Sequence, residues 1–228
     1  MSLKNLNAKI RIPKLLKSKL KNKKIIQIYN KFEKSLDLSD NFVVAVSGGP
    51  DSLALAFLAR IYSIKKQLNP KFLIIDHKLR SESTNEAINV KRLLKKNFIS
   101  SEILTWKGKK PKKNIQSNAR NKRLELLYKK CDKLKINDIL LGHHQDDLVE
   151  NFFMRMVRGS GLKGLTSLGL KTTINKKNLI RPLLYQKKND LVYLSKKVFN
   201  FYVEDPTNKD VKYQRVRIRK LMEELEKD

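Results

Sequence analysis

Four times between residues 42 and 142 a short apolar run gives way to a stretch with helical periodicity. Residues 42–46 lead into a helix from about Ser52, 72–76 into one from about Thr84, 103–106 into one from about Ile115, and 139–142 into one from about His143. Strands that alternate with helices are joined by crossovers, and crossovers go with parallel pairing and helices on both faces of the sheet. The pattern predicts an α/β fold with a doubly wound, mainly parallel sheet flanked by helices. A further apolar segment, 179–184, precedes a helix near 187–199, and Glu204-Asp205-Pro206-Thr207-Asn208 reads as a turn before a basic terminal helix. Residues 1–40 are rich in Lys, with Leu15, Leu16, Leu20, Ile25, Ile26 and Ile28 among the charges, which predicts one or two short basic helices packed by a few aliphatics. The chain thus divides into a basic helical N-terminal extension (1–40), a main domain (41–212) and a basic C-terminal helix (213–228).

With 228 residues, of which 40% are apolar, the chain can bury one substantial core. It carries 51 Lys and Arg against 22 Asp and Glu, a formal charge of +29. That excess points to a polyanionic partner, nucleic acid first. A coding bias that inflates Lys would give the same number, so charge alone leaves the partner open. The single cysteine, Cys131, excludes an internal disulfide and any multi-cysteine metal centre, which fits a reducing compartment. No run reaches the ~18 apolar residues of a membrane span, and the basic start lacks the apolar core of a secretory signal. The expected location is the cytoplasm.

In an open parallel sheet the ligand crevice lies beyond the carboxyl ends of the strands, so the residues that follow each apolar run carry the functional signal. The first run ends in Ser47-Gly48-Gly49-Pro50-Asp51-Ser52. Its glycines let backbone N–H groups approach a ligand, while Ser47, Ser52 and the following helix start offer more donors, which describes a phosphate cradle. It has neither the lysine of a Gly-Lys-Ser/Thr nucleotide loop nor the spacing of a dinucleotide fingerprint. All three histidines stand at strand ends: His77 after the second run, His143 and His144 after the fourth. In His143-His144-Gln145-Asp146-Asp147-Leu148-Val149-Glu150 the spacing of His143, Asp147 and Glu150 puts them on one face of the expected helix. That face could hold a hydrolytic metal, could carry Mg²⁺ on a nucleotide and recognise a cationic substrate, or could be a solvated acidic helix start. The cradle on the first strand favours the second. Arg158-Gly159-Ser160-Gly161-Leu162-Lys163-Gly164-Leu165 reads as a basic, glycine-rich loop able to contact phosphate, whereas Arg120, Arg123, Arg181 and 215–219 read, one by one, as anion contacts or surface pairs.

Together these segments resemble the tRNA(Ile)-lysidine synthase family of PP-loop ATP pyrophosphatases. The matching pieces run in family order from Phe42 to Arg219: Val46 to Ser52, Asp76-His77-Lys78-Leu79-Arg80, Asn118-Ala119-Arg120, Gly142 to Glu150, Arg158 to Leu165, Arg181-Pro182-Leu183-Leu184, and Glu204 to Asn208 followed by Arg217-Ile218-Arg219. The Ser-Gly-Gly loop marks only the superfamily; the His-carboxylate helix with the Arg-Gly-Ser-Gly loop and the Asp-Pro-Thr-Asn turn is far more specific. The resemblance implies an adenine nucleotide alpha hydrolase-like fold with 41–212 as the PP-loop catalytic domain. It implies a ligase that adenylates C2 of the wobble cytidine of an isoleucine tRNA with a CAU anticodon. Free L-lysine then displaces AMP to give lysidine, which changes decoding from Met/AUG to Ile/AUA. ATP and Mg²⁺ are the implied cofactors, with no membrane partner and a homodimer left open. The implied catalytic residues are Asp51, Arg120, His143, Asp147 and Glu150. ATP would be held by Ser47, Gly48, Gly49, Pro50, Asp51, Ser52, Asp76 and His77, lysine by Asp147 and Glu150, tRNA by Arg158, Lys163, Arg217 and Arg219, and Mg²⁺ by Asp51. Two features depart from the family: Val216 stands where Asn is usual, and many members continue past the position of Asp228 into separate tRNA-binding domains.

Overall fold

The computed structural model describes residues 12–108, 115–165, 168–203 and 214–225; the expected turn at Glu204 to Asn208 lies outside them. Six strands form one sheet: β1 (Val43–Val46), β2 (Lys71–Asp76), β3 (Ser101–Thr105), β4 (Asp138–Leu140), β5 (Lys171–Ile174) and β6 (Lys177–Ile180), in the order β3-β2-β1-β4-β6-β5. All pairings are parallel except β5 with β6. Val43 of β1 stands beside Lys71 on one side and Ile139 on the other, and β4 ends at Leu140, beside Val44, two residues short of the end of β1. Because the chain leaves β1 toward one edge and returns at β4 toward the other, the gap between their carboxyl ends is the topological switch point, where such sheets bind ligands.

The two faces are filled by different helices. On one face α3 (Pro50–Lys66), α4 (Ser83–Lys96) and α8 (Lys188–Phe199) bury Leu55, Leu58, Val90, Leu94, Leu191 and Leu194 in one cluster with Val44 and Val46. On the other, α5 (Ile115–Leu134) packs Leu127 and Cys131 against Val43, Leu73, Ile139 and Leu179. Helix α3 is buried on nearly every side from Ser52 to Ile64, which suits a central helix enclosed between the sheet, α8 and the N-terminal segment.

The N-terminal segment, read from sequence as one or two short basic helices, contains α1 (Lys14–Leu20) and α2 (Lys23–Lys34). Asn22 caps the second by accepting the N–H groups of Lys24 and Ile25. Their apolar residues are integral to the protein: Leu16, Ile25, Ile28, Tyr29 and Phe32 belong to the same core cluster as α3 and β1. Strand β5 has no counterpart in the apolar pattern, because as an edge strand it exposes most of its residues. Buried Arg181 secures this hairpin, donating through Nη1 to the Gly169 carbonyl at 2.8 Å and to Thr172 Oγ1 at 2.9 Å. It is therefore neither the anion contact nor the surface pair its sequence position offered.

Replacing Phe32, fully buried in α2, with Ala is expected to destabilise the whole fold by about 3–5 kcal/mol. Denaturant unfolding should show one shifted transition. An unmoved main transition would mean that the N-terminal helices are an independent appendage.

Candidate functional site

The Ser47–Ser52 loop leaves β1 and turns at once into α3, with Pro50 as the first helical residue, where its missing N–H costs nothing. Gly48 has a φ of +89°, and a Cβ there would stand 2.6 Å from Val90 Cγ2 and 3.0 Å from Val203 Cγ2, so only glycine fits. The turn is held from inside. Ser52 Oγ accepts the N–H groups of Ser47 and Gly48, both at 3.1 Å, and lies 3.0 Å from the Gly49 carbonyl. Ser52 therefore shapes the cradle rather than offering its hydroxyl to a ligand, and the donors left for an anion are the first-turn N–H groups of α3, unpaired by helix geometry.

Across the switch point, Gly142 follows β4 and lies flat against this turn: a Cβ on it would meet backbone atoms of Asp51 and Ser52 at 3.3 Å. Helix α6 (Gln145–Met156) begins two residues later than the spacing suggested, with His144 as its extended N-cap and His143 before it. Asp147 Oδ2 accepts the His144 N–H at 3.0 Å. The His144 ring, 4% exposed as a residue, sits between acids, with Nε2 at 3.5 Å from Asp147 Oδ2 and 3.8 Å from Asp51 Oδ2. A third helix start joins them. Gln186, just ahead of α8, accepts the Gln145 N–H at 3.1 Å; Lys188 Nζ reaches Asp51 Oδ2 at 2.6 Å, and Ser195 donates to the Pro50 carbonyl at 2.5 Å. The positive ends of α3, α6 and α8 thus converge.

The rim is cationic. Arg120 on α5 and Arg215 on α9 (Gln214–Leu225) are exposed, and lie within electrostatic reach of each other, of Asp147 and of His143. Arg123 Nη2 lies 3.4 Å from His77 Nε2. Burial, reinforced by Arg123, depresses the His77 imidazole to about 4 against the opposing pull of Asp76. Burial, with Arg181, Arg120 and Arg215 adding to it, does the same to His143 despite Asp147, also to about 4. Both rings are neutral at physiological pH. Asp147 and Glu150 of α6 diverge. Burial pushes Asp147 up, but His144, His143 and Arg215 outweigh it and hold its pKa below the usual range. Glu150, 1% exposed, is raised by burial even though Arg219 of α9 binds its Oε1. Glu150 Oε2 and Asp51 Oδ1 are buried and have no hydrogen-bond partner among the described residues.

Of the residues singled out from sequence, Asp51, His143, Asp147, Glu150 and Arg120 come together around the switch point. Asp76 spends Oδ1 on the Lys78 N–H and Oδ2 on Thr84, so it organises the β2 exit. Arg219 is drawn inward to Glu150, whereas Arg217 is exposed on α9, and exposed Arg158 donates to Gln214. The segment expected as a loop contains the short helix α7 (Leu162–Leu165), and the Lys163 side chain lies outside the described residues. Lys188 was not singled out, and His144 and Arg215, noted only as a strand-end histidine and one of the terminal arginines, were given no role in the site. His144 was visible as a neighbour of His143, but Lys188 and Arg215 reach the site only through tertiary contacts. Among the described residues no group of three or more His, Cys, Asp and Glu is placed to hold a metal unaided. Asp51 Oδ1 does suit a cation that arrives with phosphate ligands of its own, as Mg²⁺ commonly does.

A PP-loop domain model matches residues 18–225. The chain belongs to the PP-loop ATP-binding family. Its relatives include the tRNA(Ile)-lysidine synthase of Orientia tsutsugamushi (strain Boryong), 40% identical over 183 residues that cover 80% of this chain and 41% of the relative. The enzyme of the same name from Bradyrhizobium diazoefficiens is 38% identical, covering 80% of this chain and 51% of its own. The chain spans about half the length of the curated relatives it matches. Among solved structures, the U34-tRNA thiolase NcsA from Methanococcus maripaludis superposes with a TM-score of 0.76 at 20% identity, over 90% of this chain and 73% of that one, which establishes a shared PP-loop fold.

Two outcomes follow from the geometry. Gly48→Ala should abolish measurable ATP binding in calorimetry, since the side chain can be fitted only by opening the loop. For His77 the unfolded imidazole takes up a proton near 6.5 and the folded one only near 4. Its contribution to stability is therefore complete above pH 6.5 and is lost as pH falls to about 4. Thermal midpoints of His77→Gln should decline less steeply than wild type across that window; parallel declines would contradict the neutral, buried ring.

Proposed function

We propose that the chain ligates lysine to C2 of the wobble cytidine in the CAU anticodon of an isoleucine tRNA, using ATP and Mg²⁺ and releasing AMP and pyrophosphate. The observation that carries this reading is the acidic pair Asp147 and Glu150, enclosed beside the PP-loop within a rim that is otherwise cationic. The rim suits phosphates of nucleotide and tRNA, while two carboxylates inside it suit a substrate bearing ammonium groups.

The steps use the residues as they stand. The α3 N-terminus receives the nucleotide phosphates, with Asp51 as the protein ligand to Mg²⁺. The cytidine O2 attacks the α-phosphorus and pyrophosphate departs, and Arg120, with Arg215 within its electrostatic reach, steadies the adenylated intermediate. Lysine is then held through Asp147, which stays ionised. Glu150, with its raised pKa, is a better proton acceptor than an ordinary carboxylate and takes the proton that the attacking amine must lose. Neutral His143 orients the exchange by hydrogen bonding, and AMP leaves. A sulfur-transfer reading, which the same fold allows, needs a reactive thiol. Cys131 is buried on α5, and burial raises its thiol to about 11. Among the described residues no helix is long and apolar enough to cross a membrane, and we place the reaction in the cytoplasm with its tRNA.

The test supplies the chain with ATP, Mg²⁺, labelled lysine and unmodified CAU tRNAs of isoleucine and methionine type. Lysine retained on the isoleucine tRNA alone is the expected result, and label on neither or on both would contradict it. Replacing Asp147 and Glu150 together by Ala should lower lysine transfer at least a hundredfold while ATP binding stays within a few fold; full transfer by the double variant would refute the assignment.

A further inference from the structure

The PP-loop of this chain has no lysine among its own residues, yet a lysine stands on it. Lys188, on the first turn of α8, reaches 137 residues back to place Nζ 2.6 Å from Asp51 Oδ2. This position is not one that helix stability selects. A cation in the first turn opposes the helix dipole, and Lys187 just before it compounds the cost. Nor does Lys188 point at solvent like an ordinary surface lysine, since its side chain is 36% exposed and its charge ends on the loop. The same helix face is fixed to the loop a second time, seven residues on, where Ser195 donates to the Pro50 carbonyl. Helix α8 is thereby docked on the loop at both ends of that face, and the Lys188 ammonium is delivered to the point where the N-termini of α3, α6 and α8 converge.

Building on the nucleotide reading above, we propose that Lys188 is the phosphate-binding lysine of this site. It is supplied from α8 instead of from the loop, and it contacts the β- and γ-phosphates and the pyrophosphate they become. Paired with Asp51 it neutralises the loop carboxylate; were Mg²⁺ held by that carboxylate, the ammonium would be released to the phosphate oxygens beside it. In the adenylation step the bond between the α-phosphorus and its bridging oxygen breaks, the cytidine oxygen takes its place, and the electron pair leaves with pyrophosphate. A fixed ammonium next to that leaving group stabilises the charge as it develops. No proton is transferred by Lys188.

The experiment measures binding of magnesium pyrophosphate and of Mg·ATP to the full chain by calorimetry, with no tRNA or lysine present, for wild type, Lys188→Met and Lys188→Arg. Lys188→Met should weaken pyrophosphate binding roughly ten- to a hundredfold, the loss expected for one charge-assisted contact, with Lys188→Arg within about threefold of wild type. Circular dichroism melts identify any variant that fails to fold, and the Arg variant keeps the comparison valid should Met not fold. Equal affinity for pyrophosphate in wild type and Lys188→Met would overturn the proposal while leaving lysine transfer untouched. So would Arg and Met variants that fold and are equally impaired. Absence of Mg·ATP binding by the wild type would instead remove the nucleotide reading on which it rests.

Discussion

Three helix starts meet over one gap in the sheet, and that convergence creates an electrostatic demand which the surrounding side chains answer. The gap exists because the chain turns back at β1: β2 and β4 flank it, and the connections leave toward opposite edges. The unpaired N–H groups of α3, α6 and α8 then aim partial positive charge at the same small volume. Asp51 and Asp147 lie in first turns, where the dipole favours them, and Glu150 follows one turn on. The glycines next to these acids serve the approach itself. A side chain on Gly142 would push α3 away from β4, and one on Gly48 would push the loop out of the fold.

Around this centre the positive charge is sorted by type. The residues that crowd the crevice are mostly arginines, Arg120, Arg123 and Arg215 among them, although Lys is the commoner cation in the chain. A guanidinium presents several donors in a fixed fork to one anion, which an ammonium does not. Lysine-rich coding drift does not account for an arginine rim.

The apolar pattern made the layers legible because parallel strands and their helices bury nearly everything they carry. Strand β5 was invisible for the complementary reason: on an exposed edge its Lys-Thr-Thr-Ile has no buried partner face. Half of the site was legible too, since residues just past strand ends must line the crevice whatever the details. What could not be read was register within the turn. His143 and His144 differ by one position, and only the extended backbone at residue 144 decides that His144 lies between the acids while His143 precedes the helix. Nor could the sequence foresee Ser52 and Asp76 turned to the shaping of their own loops, because hydroxyls and carboxylates that hold a turn look the same in one dimension as those that hold a ligand.

Two carboxylates of the centre owe their partners to helices that follow the sheet: α8 brings Lys188 to Asp51, and α9 brings Arg219 to Glu150. An unpaired carboxylate enclosed at these positions would be costly, so the resident cations keep the folded crevice tolerable. Each pairing also leaves one oxygen without a hydrogen-bond partner, Oδ1 of Asp51 and Oε2 of Glu150. The environments then divide the acids by task. Asp147 is held below the usual carboxylate range by its two imidazole neighbours and Arg215, which outweigh its burial, while Glu150 is raised by burial despite Arg219. Two carboxylates one turn apart on α6 thereby acquire different chemistry from burial and neighbours alone.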